Sequence, residues 1–141
     1  MRTGPVLMLA ATLAAAMACG STPEPAGPGL PADVASIRLF DSSGGDVSAH
    51  IVLVATKTQQ FDVRMYAANG AEITSVAGGV QVTFTFTPST IATVAPVADE
   101  PLRKRVTTTG PKDTPGSLTV ELLFPATLNV RTFPGFQCLV H

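Results

Sequence analysis

Val80-Gln81-Val82-Thr83-Phe84-Thr85-Phe86-Thr87 alternates apolar and polar side chains without a break. Val80, Val82, Phe84 and Phe86 fall on one side, and Gln81, Thr83, Thr85 and Thr87 on the other. Successive side chains of an extended chain point to opposite faces, so this spacing predicts a strand with one buried apolar face and one hydroxylated face in water. Phe61, Val63 and Met65 alternate with Gln60, Asp62 and Arg64 in the same way, and Leu118, Val120, Leu122 and Phe124 give a third row. Between the first two rows, Ala68-Asn69-Gly70-Ala71 supplies an Asn-Gly turn signal ahead of Glu72-Ile73.

Outward from these rows the chain continues as short β-prone runs divided by turn residues, at 35–40, 47–55, 91–95, 102–107, 127–133 and 136–140. Within 47–55, Ile51-Val52-Leu53-Val54 is apolar on both faces, which predicts a strand central in a sheet or under a covering loop. No long segment repeats with a 3.6-residue period, so helices are expected to be minor. Some seven to nine short antiparallel strands bury their apolar faces by stacking or closing sheets. The expected fold class is therefore all-β, a sandwich or barrel.

Val82-Thr83-Phe84-Thr85-Phe86-Thr87-Pro88-Ser89-Thr90-Ile91-Ala92-Thr93-Val94 resembles the bacterial immunoglobulin-like (Ig-like) domain of group 2, whose pattern runs V-T-W-x-S-S-N-P-x-V-A-T-V. Thr58-Gln59-Gln60-Phe61 is similar to that family's T-x-Q-L, and Tyr66-Ala67-Ala68-Asn69-Gly70 to its D-A-N-G hairpin. Phe84 stands where the family has a core Trp, and one extra residue precedes Thr58. The resemblance covers roughly residues 34 to 124 and implies an Ig-like sandwich. Residues 125–141 extend beyond the family pattern, and two placements stay open for them: completing the sandwich or docking elsewhere. That fold hosts adhesins, spacers and envelope subunits alike, so it implies no activity by itself.

The amino-terminal segment gives an address. Arg2 precedes fourteen residues without a charged side chain, Pro5 to Ala18, the positive-then-apolar order of a secretory signal. Gly20, Ser21, Pro23 and Glu24 interrupt the run before the roughly 20 apolar residues that a spanning helix needs. Ala16-Met17-Ala18-Cys19 resembles the lipobox of bacterial lipoproteins, in which the cysteine thiol takes a diacylglyceryl group; the plainer alternative is an ordinary small-x-small cleavage site followed by a cysteine. Residues 1–18 are thus expected to form a cleaved signal peptide and Cys19 to be the lipidated residue. One acyl chain binds membranes only reversibly, and the two or three chains that the resemblance implies give stable attachment. Gly20 after the cysteine resembles the pattern of lipoproteins sent on to the outer membrane, so the expected location is the cell envelope, lipid-anchored. Residues 19–33, with four prolines and three glycines, read as a linker that reaches about 40 Å at about 3.1 Å per residue. Residues 34–141 are then the folded domain.

Composition narrows the function classes. The chain carries 9 Lys and Arg against 10 Asp and Glu, and loses Arg2 with the signal peptide. Such a balance gives no general attraction to nucleic acid. With Cys19 acylated, Cys138 is the one remaining thiol and no intrachain disulfide is available. Phe136, Cys138 and Val140 share a strand face, which favours a buried small hydrophobe over a bridge to a partner. Cys138 and His141 make two metal ligands, too few for a zinc site.

Candidate chemistry is sparse. The only imidazoles are His50 and the terminal His141, and each reads as structural or solvent-facing rather than as a catalytic base. Asp62, Glu72, Asp99 and Glu121 are too scattered for their spacing to favour a glycosidase pair. Asp41-Ser42-Ser43-Gly44-Gly45-Asp46 places two carboxylates around a flexible turn but lacks the ligand series of a calcium loop, so a hairpin turn is expected. Arg103-Lys104-Arg105, with Lys112 nearby, reads as a solvated edge or loop, the alternative being contact with an acidic partner or lipid headgroups. No catalytic residues, cofactor or metal are expected. The sequence points to a non-enzymatic module that binds an envelope protein or surface ligand, with a structural spacer or accessory subunit as the alternative and a hydrolase or carbohydrate-active protein third.

Overall fold

The computed structural model describes residues 33–141. The expected signal peptide, Cys19 and all of the linker but Asp33 lie outside the described residues. Nine strands follow in chain order: β1 (Ser36–Asp41), β2 (Ile51–Leu53), β3 (Thr58–Tyr66), β4 (Glu72–Ile73), β5 (Gln81–Thr87), β6 (Ala92–Val97), β7 (Glu100–Thr108), β8 (Pro115–Phe124) and β9 (Asn129–Val140). One sheet runs β1-β3-β7-β6 with β4 beside β3, and the other runs β2-β9-β8-β5. This is the ABED and GFC strand order of Ig-like sandwiches, with β2 added alongside the last strand.

Alternation produces the core. On β8, Leu118, Val120, Leu122 and Phe124 are at most 1% exposed, and on β5 the inward row is Val82, Phe84 and Phe86. Phe61, Val63 and Met65 of β3 and Ile37 and Leu39 of β1 meet them from the facing sheet. Full burial of such side chains contributes about 1.5–3 kcal/mol each, which is why these rows dictate how the sheets stack. Gly116 of β8 lies so close to Ile91 that an added Cβ would stand 2.5 Å from the Ile91 Cδ1 atom and 2.9 Å from the Thr87 carbonyl oxygen.

Residues 125–141 complete the sandwich. They form the turn after β8 and all of β9, which pairs with β8 from Asn129 to Leu139. The sequence suggests two strands here, at 127–133 and 136–140, whereas the structure has one. Pro134-Gly135 is not a turn but a bulge: Val120 faces Phe133 and Leu118 faces Phe136, so two residues of β9 oppose Thr119. Gly135 takes a φ of +91°, which glycine adopts without steric cost.

The segment 47–55 departs from expectation. Only Ile51–Leu53 is a strand, it lies at the end of its sheet rather than centrally, and it pairs in parallel with Cys138–Val140, the one parallel pair in the described fold. Ile51 and Leu53 are buried, but Val52 and Val54 are 42% and 40% exposed. A four-residue apolar run satisfies a one-sided strand as readily as a two-sided one, and here the outer face is left to solvent.

One buried polar group stands out. Thr108 of β7 is 2% exposed and its hydroxyl has no hydrogen-bond partner among the described residues. An unsatisfied buried hydroxyl costs about 1–3 kcal/mol, and Val has nearly the same shape. Thr108→Val is expected to raise the unfolding free energy by about 1 kcal/mol, read from the urea midpoint at constant slope; a loss of stability would mean that the hydroxyl is satisfied in solution.

Candidate functional site

Every open sheet ends in strands whose outward N–H and C=O groups can recruit another chain, and proteins normally blunt such ends with short strands, Pro, bulges, charge or a covering loop. Among the described residues, four of the five terminal strands carry such devices, β4 by being only two residues long. Residues 46–48 fold back over β1: Phe40 bridges Asp46, the Val47 N–H donates to the Leu39 carbonyl at 2.8 Å, and the Leu39 N–H donates to the Ser48 hydroxyl at 2.8 Å. β6 carries Pro96, where its register with β7 also shifts. β2 is three residues long, and the stretch of β9 beyond it holds Arg131, Pro134 and the Gly135 bulge.

β5 carries none of them. Its seven residues pair with β8 in unbroken register from Gln81–Leu123 to Thr87–Ser117, and no described strand pairs with its other edge. It contains no charge, proline, glycine or bulge. Val82, Phe84 and Phe86 point into the core, while Gln81, Thr83, Thr85 and Thr87 are exposed. On the outer face this row continues across β8 through Ser117 and Thr119, which sit opposite Thr87 and Thr85.

The outer face of the other sheet holds most of the arginines. Arg103-Lys104-Arg105, expected at an edge or in a loop, lies on β7, an interior strand between β3 and β6. Arg103 makes a two-pronged contact with Asp62 across the strand pair, Nε to Oδ1 and Nη2 to Oδ2 at 3.0 Å, and Nη1 donates to Glu100 at 2.7 Å. These hydrogen bonds and charges, led by Asp62, push the guanidinium pKa upward. Arg38 and Arg64 are directly opposed on β1 and β3, a like-charge pairing that costs stability. Each guanidinium is placed over an aromatic ring, Arg38 5.0 Å from the Tyr66 centroid and Arg64 4.1 Å from that of Phe40, and Arg38 also lies 3.7 Å from Asp46. Cation–π attraction offsets the repulsion, and on this face Arg38 and Arg103 also have carboxylate partners.

The remaining candidates are separated. Asp41 and Asp46 direct their carboxylates into their own turns: Asp41 Oδ1 accepts from the Ser43 hydroxyl and from the Ser43 and Gly45 N–H groups, and Asp46 Oδ1 accepts from the Ser48 hydroxyl and N–H. The segment is a hairpin turn closed by its own carboxylates. His50 and His141 are exposed at opposite ends of the short β2–β9 ladder. Asp62 is engaged with Arg103, Glu72 lies on β4, Asp99 in the turn after β6, and Glu121 on the opposite sheet. Among the described residues no group of three or more His, Cys, Asp or Glu could hold a metal ion. No helix among them is long and apolar enough to cross a membrane. Cys138 is 4% exposed, and burial pushes its thiol up to about 11.

No family model, curated protein or solved structure matches this chain. Three features escaped the sequence reading: the bare edge of β5, the Asp62–Arg103–Glu100 cluster, and the clasp of Arg131 on the Val34 carbonyl at 2.6 Å. The first carries a signal, since uncharged V-T-F-T-F-T is visible in the chain, but its place at a sheet end is set by topology. The other two join residues 41 and 97 positions apart and leave no local trace.

Two outcomes follow. The Ser43 and Ser48 hydroxyls, with the turn N–H groups, hold the Asp41 and Asp46 carboxyls below the usual carboxylate range. A depressed folded pKa contributes stability above the unfolded value, about 3.9, and loses it as pH falls through the folded value. Urea midpoints are expected to decline below about pH 4, and Asp41→Asn to flatten that decline. Cys138 is expected to resist a thiol reagent at pH about 8.5 in the folded protein and to react fully in urea; fast labelling of the folded chain would contradict its burial.

Proposed function

We propose that this chain is a cell-envelope lipoprotein, held to the membrane through acylated Cys19, whose Ig-like sandwich is a non-enzymatic binding module. The observation that carries the binding half is the bare edge of β5, seven residues of uninterrupted strand with no described neighbour. Strand addition at such an edge takes its affinity from main-chain hydrogen bonds and its selectivity from alternate side chains. The lipobox resemblance at Ala16 to Cys19 and the proline-rich segment that follows support the anchoring half. The similarity of Val82 to Val94 to the group 2 pattern supports placing the domain among bacterial Ig-like modules.

In cells, the wild-type chain is expected to incorporate radiolabelled palmitate and partition with membranes, and Cys19→Ser to do neither; an unlabelled wild type removes the anchor. A photoreactive residue at Thr85 is expected to cross-link in intact envelopes, whereas one at Thr132, on β9 of the same sheet, is not. Equal cross-linking from both positions, or none from Thr85, removes the edge as the binding surface.

A further inference from the structure

We propose that the bare edge of β5 is completed by β5 of a second copy, antiparallel and two-fold symmetric about Phe84, so that two four-stranded sheets join into one of eight. The inference rests on the edge being a binding surface and names its occupant.

The first argument is the symmetry of the strand itself. Read outward from Phe84 in both directions, Gln81-Val82-Thr83-Phe84-Thr85-Phe86-Thr87 gives Thr83 and Thr85, then Val82 and Phe86, then Gln81 and Thr87. An antiparallel two-fold pairing sets each of these against its counterpart in the second copy. Thr83 faces the second copy's Thr85, Val82 faces its Phe86, Gln81 faces its Thr87, and Phe84 faces Phe84. Residues directly opposite in an antiparallel pair share a face, so a two-fold pairing must match parity as well as chemistry. Centring on Phe84 meets the parity condition by construction, and the chemistry then matches as well: exposed polar meets exposed polar, and inward apolar meets inward apolar. Thr–Thr and apolar–aromatic pairs are among the favourable cross-strand combinations.

Charge supplies the second argument. β5 has no ionisable side chain, so the two-fold operation creates no like-charge pair. The other candidate edge behaves differently. Arg131 of β9 is committed to the Val34 carbonyl, just ahead of β1 in the opposite sheet, and any longer two-fold pairing along β9 meets Pro134 and the bulge. A closed two-fold contact uses the same patch twice and therefore needs a self-complementary surface, which β5 has.

Size sets the expected strength. Seven residues span about 24 Å of strand, and Phe84 and Phe86 are already 6% and 5% exposed before any pairing. The contact gains main-chain hydrogen bonds and threonine pairs more than new apolar burial. It therefore belongs to the small interfaces, below about 1,200 Å², that associate reversibly. Confinement to a membrane through Cys19 would raise the effective concentration and favour pairing there.

The test uses the chain from residue 19 with Cys19→Ser, unacylated and soluble. Sedimentation equilibrium is expected to show mass rising from monomer toward dimer with concentration. Amide exchange at residues 81–87 is expected to slow in step, while residues 129–137 do not change. Thr83→Lys with Thr85→Lys sets the introduced ammonium groups into two opposed pairs and is expected to weaken the dimer at least tenfold. Thr83→Glu with Thr85→Glu does the same, and mixing the two variants restores a heterodimer. Thr132→Lys, on β9, leaves the dimer intact. A wild type that stays monomeric to about 1 mM, or a dimer indifferent to the lysine pair, overturns the proposal. The exchange measurement needs no variant and decides the matter if a substituted chain fails to fold. A monomeric purified chain together with a Thr85 photoadduct to a different envelope protein overturns this pairing and leaves the edge as a binding surface.

Discussion

The inward row of β8 is the constraint on which the rest of the structure depends. Leu118, Val120, Leu122 and Phe124 are buried between strands on both sides and a facing sheet in front. Because strand side chains repeat every two residues, a slip of one position would turn all four toward water. β5 meets this row in regular register, Val82, Phe84 and Phe86 falling opposite Leu122, Val120 and Leu118. β9 cannot do so unaided. Phe133 and Phe136 are three positions apart, so a regular strand would send them to opposite faces. The extra residue at Pro134-Gly135 restores parity and lets both pack against the core.

The two sheets treat their solvent faces differently. The β1-β3-β7-β6 face relies on long-range pairing of charge, with Arg103 bound by two carboxylates and two opposed arginines each laid over a ring. The β5 side of the other face is hydroxyl and amide, and Glu121 of β8 is the charge nearest to it in register. Charge keeps an edge apart from its neighbours, and its absence along β5 removes that protection.

The alternating rows were legible from sequence because each is a local property. The three rows that define β3, β5 and β8 appear where the spacing puts them, within one or two residues at most ends other than the start of β8. Ile51-Val52-Leu53-Val54 was not legible, since nothing local tells a run with one buried face from a run with two; position at the end of the sheet decides it, through contacts with residues 138–140. Arg103 read as an edge charge because Asp62, which makes an interior position tolerable, lies 41 residues away. Pro134-Gly135 carries the composition of a turn, and only its pairing with β8 makes it a bulge. The same holds for the candidate surface: the chain displays a symmetric uncharged strand, and the fold alone places it at a border.

The clasp at the start of the domain has a mechanical meaning. Val34 is wholly buried, its carbonyl is gripped by Arg131 from the opposite sheet, and the next N–H, that of Ala35, is donated to Tyr66. Tension applied through the preceding chain would reach β1 only after breaking that grip. It would then reach the β1–β3 ladder of six residue pairs. A pull on this end therefore meets a side-chain clasp before it meets any strand pair.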